Sequence, residues 1–74
     1  MKYSFTTPIG TFAIRPQRNN PNRVELWVGD ECYGSYASAR MAASDVYAHV
    51  TGFNRWDMAA HLEVPEDLAE WKQS

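Results

Sequence analysis

Hydrophobic and polar positions alternate along the first half of the chain and then change period. In "YSFTT" (Tyr3 to Thr7) and "TFAIR" (Thr11 to Arg15), aromatic and β-branched residues favour extended backbone, and the intervening "PIG" is a turn signal. A hairpin is expected, with Tyr3, Phe5, Phe12 and Ile14 on one face. "PQRNNPN" (Pro16 to Asn22) has two prolines and three asparagines, a composition that turns the chain and bonds its own backbone, so an exposed, mobile loop is expected there. "RVELWV" (Arg23 to Val28) alternates strictly, with Val24, Leu26 and Val28 on one side and Arg23, Glu25 and Trp27 on the other. That is the signature of a half-buried strand.

Gly29 and Asp30 make the next turn, and "ECYGSY" (Glu31 to Tyr36) is the returning strand. A two-residue loop would set Cys32 opposite Trp27, whereas a three-residue loop through Glu31 would set Tyr33 there. One residue of register exchanges the two faces of the strand. The longer loop is the expectation, because it places Cys32, Gly34 and Tyr36 beside Val24, Leu26 and Val28 and leaves Glu31 outside.

From Ser38 the apolar spacing lengthens to three and four, which predicts a helix capped by Ser38. Ala39, Ala42, Ala43, Val46 and Val50 would face inward, and Arg40, Ser44, Asp45 and Ala48 outward. In "TGFNRWD" (Thr51 to Asp57), Gly52 suits the left-handed position that ends a helix, and Phe53 an apolar contact back onto the last turns, near Tyr47 or Ala48. Asn54 and Asp57 are both N-capping types, Trp56 reads as a second core anchor that also offers a partner contact, and Arg55 needs neither cap nor core. In "VPEDLAEW" (Val64 to Trp71), Pro65 suits a first helical turn, Glu66 and Asp67 suit the positive end of a helix dipole, and Leu68 and Trp71 share a face. A short C-terminal helix is expected to dock through them. The elements sum to one α+β domain over residues 1–74: a four-stranded antiparallel meander, one packed helix and the short C-terminal helix. Alternation leaves open whether the sheet curls into a small SH3-like barrel.

The motifs "TPIGTF", "GSY-x-S", "AA-x-DV", "TG", "WD" and "P-x-DL-x-x-W" together resemble a family of small bacterial proteins of unknown function. The resemblance spans nearly the whole chain and implies the fold; it supplies no activity, cofactor or functional residue.

Composition narrows the chemistry. A 74-residue domain holds only ~3–5 kcal/mol of net stability from one core, and ten aromatics (14% of the chain) are the means by which so short a chain can close one. Cys32 is the one cysteine, so no intrachain disulfide or paired-cysteine metal site can form; a lone thiol points to a reducing compartment, the cytoplasm. No segment has the length of a secretory h-region or a membrane span. The net charge of -2 is uneven: residues 1–29 carry four basic residues and one acid, residues 30–74 three basic and eight acidic. That balance points away from nucleic acid, although Arg15, Arg18 and Arg23 form a local basic group.

No catalytic constellation emerges. Cys32 as a nucleophile would need His49 or His61 as base, and nothing in the spacing brings them together. His49, His61 and Asp57 lack metal-ligand spacing, and the acids Glu63, Glu66, Asp67 and Glu70 are explained by solvation and the helix dipole. Neither a glycine-rich phosphate loop nor a nucleophile elbow is present. The expectation is a non-enzymatic, cofactor-free protein-interaction or regulatory module with an aromatic and arginine surface, drawn from Trp27, Tyr33, Arg55 and Trp56. Its partner would be a protein, and the chain itself a monomer or an edge-paired homodimer. Weak single-stranded nucleic-acid binding and a small Cys-dependent enzyme are the alternatives. Trp27 is the sharpest point: on the polar side of its strand, it is covered either by the C-terminal helix or by a partner.

Overall fold

The computed structural model describes residues 2–74. Five antiparallel strands, β1 (Tyr3–Thr6), β2 (Thr11–Gln17), β3 (Asn20–Val28), β4 (Glu31–Tyr36) and β5 (Lys72–Gln73), form one open sheet in the order β4-β3-β2-β1-β5. The expected α+β meander is therefore present, with a fifth strand added and with two free edges in place of a closed barrel. Tyr3, Phe5, Phe12 and Ile14 share a face, as the alternation required, because Tyr3 pairs with Ile14 and Phe5 with Phe12. The turn between β1 and β2 is tied by the Thr7 hydroxyl, which accepts from the backbone N–H of Ile9 (3.2 Å) and Gly10 (3.1 Å).

The expected loop at Pro16 to Asn22 is instead a continuation of the β2–β3 hairpin, turning only at Arg18 and Asn19. Proline would be excluded from the middle of a sheet by its missing N–H. Pro21 escapes that restriction because β4 ends at Tyr36, opposite Val24, and Pro16 sits where the β2–β3 register shifts. The hairpin thus runs past its neighbouring strand as a projecting arm.

The β3–β4 turn corrects the expected register in part. Gly29 alone takes a positive φ (59°), Val28 pairs with Glu31 and Trp27 with Cys32, so the loop has two residues, in II′ geometry. A bulge then shifts the register between Leu26 and Trp27, so that Leu26 pairs with Gly34 and Val24 with Tyr36. The extra residue is Tyr33. Gly34 and Tyr36 thereby reach the core side as expected, while Cys32 turns to the other face.

Helix α1 (Ala39–Ala48) lies across the inner face of the sheet. Ser38 caps it, accepting from Met41 N–H at 3.2 Å. Ala42, Ala43 and Val46 are fully buried, and the small alanines let the helix approach the sheet closely. Val50 is not part of this face: it is 59% exposed, because the helix has already ended. The left-handed residue that ends the helix is His49 (φ 60°), not Gly52, with its N–H bonded to Val46 C=O and the N–H of Val50 to Asp45 C=O. These two bonds make a Schellman motif around a non-glycine residue. Its cost is offset by the imidazole, which stacks on Trp56 at 4.3 Å with an interplanar angle of 9°.

Helix α2 (Asn54–Asp57) is a single turn that drives Trp56 into the core. Trp56 is 0% exposed, its indole N–H bonds Val46 C=O at 2.8 Å, and its ring meets Phe12 edge to face at 5.1 Å. Phe53 packs on Phe12 and Tyr33. Neither Asn54 nor Asp57 is the N-cap of this turn. The expected C-terminal helix is reduced to a 3-10 turn, Leu68–Glu70, capped by Asp67, after which the chain becomes β5. Trp71 is buried against Phe5 (5.8 Å) and donates to Pro65 C=O at 3.2 Å. The segment therefore docks on the inner face beside β1, and does not cover Trp27.

Candidate binding surface

Both helical segments and the 3-10 turn pack on one side of the sheet, so among the described residues its other side carries no cover. Strand register identifies what that open face displays. One row runs Ser4, Ala13, Trp27, Cys32 across β1 to β4, and the next runs Arg15, Glu25, Ser35 across β2 to β4. Thr6 and Thr11 pair nearby through their hydroxyls at 3.2 Å. On β5, Lys72 lies opposite Ser4, and alternation places Lys2 on the same side.

Trp27 is held in one orientation. Its indole N–H donates to Glu25 Oε1 at 3.0 Å, and the guanidinium of Arg15 lies 4.2 Å from the ring centroid. Such a cation–π contact is worth about 0.5–1 kcal/mol at a partly exposed site and immobilises both side chains. Beside it, Arg23 donates to Ser35 Oγ (2.9 Å) and Ser35 C=O (3.1 Å), and the Ser35 hydroxyl donates to Gln17 Oε1 at 2.6 Å. This rung spans β2 to β4. The face is thus a preorganised polar surface around one half-buried tryptophan.

Charge is segregated between the two sides. The open face bears Lys2, Arg15, Arg23 and Lys72 against the single acid Glu25. The remainder has the other cations, Arg18, Arg40 and Arg55, against the other eight acids.

The four residues singled out from sequence do not converge. Trp27 is at the centre of the open face. Tyr33, displaced by the bulge, leaves that face and packs on Phe53 at 5.1 Å; its hydroxyl donates to Glu31 at 3.2 Å, and desolvation together with that carboxylate pushes the phenol pKa up. Trp56 is enclosed in the core and reaches no surface. Arg55 is exposed on α2, on the helical side of the sheet from Trp27. Sequence reading placed Arg23 and Glu25 on the side of Trp27 but missed that Lys2 and Lys72 share this face. The outward phase of Arg15 and Glu25 in their strands was the available signal, but the pairing of β5 with β1 was not foreseeable from two polar residues.

Residues that might have carried other chemistry are also placed. Cys32 is exposed on the open face with its thiol directed at Gly34 C=O (3.6 Å), whereas His49 lies in the helical layer beneath Trp56. His49 Nδ1 contacts Tyr47 C=O at 3.2 Å, and its buried Nε2 has no hydrogen-bond partner among the described residues. Asp57 is a structural hub. Its carboxylate accepts from Thr51 N–H (2.9 Å), the Thr51 hydroxyl (2.8 Å) and Gly52 N–H (2.8 Å). Burial pushes its pKa up, but these donors and the nearby His49 outweigh burial and hold it below the ordinary carboxylate value. Gly52 takes its positive φ (88°) in presenting that N–H. Among the described residues no cluster of three or more His, Cys, Asp or Glu could hold a metal, and no helix is long and apolar enough to cross a membrane.

Comparison with protein-family models, with curated proteins and with solved structures finds no match.

Proposed function

We propose that this chain is a non-enzymatic protein-interaction module whose contact surface is the open face of the sheet around Trp27. The observation that carries this reading is a tryptophan fixed by Glu25 and Arg15 on a face that none of the described residues covers. Trp and Arg are the residue types that dominate interface energetics, and side chains already immobilised lose little entropy on binding. The edges of the sheet support this role less well: β4 is bulged at Tyr33 and β5 has two residues, so neither offers a long regular ladder to a second copy. Single-stranded nucleic-acid binding is the weaker reading, since Trp27 is the one aromatic of the face, whereas stacking along a strand uses several. The exposed Cys32 thiol suits a reducing, cytoplasmic setting.

The test is site-specific photocrosslinking in the source cells. A crosslinker in place of Thr11, on the open face, should capture a partner that one in place of Ser44, on the exposed side of α1, does not. Trp27→Ala should abolish that capture while leaving the thermal midpoint within a few degrees. Equal capture from both sides, or capture indifferent to Trp27→Ala, overturns the assignment.

A further inference from the structure

The charge of the open face identifies the kind of partner. Four cations and one acid sit on this face of a chain whose net charge is -2, so the field over the sheet has the opposite sign to that of the molecule. The cations lie across four consecutive strand positions of the sheet, Lys72 on β5, Lys2 beside β1, Arg15 on β2 and Arg23 on β3, with the Arg15 guanidinium against Trp27. Adjacent strands are about 4.8 Å apart, so the row extends over roughly 15 Å. Arg23 already directs two of its N–H donors at Ser35, so the cations act on a partner chiefly as a fixed positive charge that favours carboxylates.

Resting on the interaction reading above, we infer that the partner presents an acidic protein segment with an apolar side chain among its carboxylates. The pattern of the face distinguishes this from a uniform polyanion. Ala13 and Trp27 form an apolar strip, and Glu25 interrupts the cations. A nucleic-acid backbone would carry a charge past Glu25 at every phosphate. A polypeptide can place carboxylates against Lys2, Arg15, Arg23 and Lys72, set an apolar residue on Trp27, and leave Glu25 unopposed. Such complementarity acts on association rate and specificity and is screened by salt.

The test uses the full chain with two labelled probes, a Glu–Leu repeat peptide and an oligothymidylate of matched charge, followed by fluorescence anisotropy. The peptide should bind, and raising salt from about 50 mM to about 500 mM should weaken it at least about tenfold. Lys2→Gln/Lys72→Gln and Arg15→Gln/Arg23→Gln should each weaken it several-fold; Arg40→Gln/Arg55→Gln, on the helical side, should not. The first pair lies at exposed positions near the ends of the chain, so it remains informative if loss of the Arg15–Trp27 contact disturbs the fold. Tighter binding of oligothymidylate than of the peptide overturns the inference in favour of nucleic acid. Absence of salt-sensitive peptide binding overturns it while leaving the interaction reading intact, provided Trp27-dependent crosslinking persists; if that is lost too, both fall.

Discussion

Asp57 shows how one side chain can decide local structure. Three donors from Thr51 and Gly52 converge on its carboxylate, closing the segment between α1 and α2. Asp57→Ala should cost about 2 kcal/mol in chemical denaturation, since hydrogen bonds to a charged acceptor are lost and backbone donors are left unpaired. Because the folded pKa is lowered, Asp57 contributes its stability above the unfolded value of about 4 and loses it as pH falls through the folded one. Asp57→Asn should therefore flatten the acid limb of a stability–pH profile measured downward from about pH 4. Tyr36 has the opposite sign. Burial, followed by its hydrogen bond to Asp45 (2.9 Å), raises its pKa to about 12, so its contribution is intact below the unfolded value near 10 and is lost as pH rises from there toward 12. Tyr36→Phe should remove that alkaline loss in a denaturation series across the same range. Gly34 explains why the tyrosine fits: a Cβ there would lie 3.0 Å from the Tyr36 ring. Gly34→Ala should displace the phenol from Asp45 and lower stability by about 1 kcal/mol, read as a thermal shift of several degrees.

At the scale of elements, the bulge on β4 and the C-terminal segment are the decisive features. A two-residue turn at Gly29 and Asp30 and an inward Gly34 and Tyr36 are incompatible in a regular ladder, and the extra residue Tyr33 reconciles them. The segment after Pro65 illustrates how little regular structure is needed to close a core. Its 3-10 turn has three residues, yet it delivers Trp71 to the inner face and leads into β5, which pairs with β1. Trp71→Ala should cost about 3–5 kcal/mol, comparable with the whole stability expected of so short a domain. Circular dichroism should accordingly show a largely unfolded chain, partly rescued by Trp71→Phe, which keeps the contact with Phe5 and loses the bond to Pro65.

The whole molecule is a two-layer structure with one side of its sheet left bare. Trp56 and Trp71 are buried in the covered layer, whereas Trp27 is half-buried on the open face. Acrylamide quenching of tryptophan fluorescence should therefore fall sharply in Trp27→Phe and remain unchanged in emission from the protected pair. The same two-sidedness separates the charges, and it accounts for a basic surface on an acidic protein.

Alternation by itself determined the hairpin of β1 and β2, strand β3 and the outward position of Trp27, because a period of two admits only one assignment of faces once a core is required. Small residues at three and four spacing likewise marked α1, and Ser38 its start. Other features depended on contacts between segments far apart in the chain. The helix stops at His49 because Trp56 takes Val46 C=O and stacks on the imidazole, while Asp57 draws Thr51 and Gly52 away. Pro21 enters the β2–β3 arm because β4 ends first, a fact of three strands rather than of one. Which face is covered was settled where Trp71 found Phe5 instead of Trp27. Local pattern specifies which side of an element is apolar; only packing decides which apolar sides meet, and hence which face remains free to meet something else.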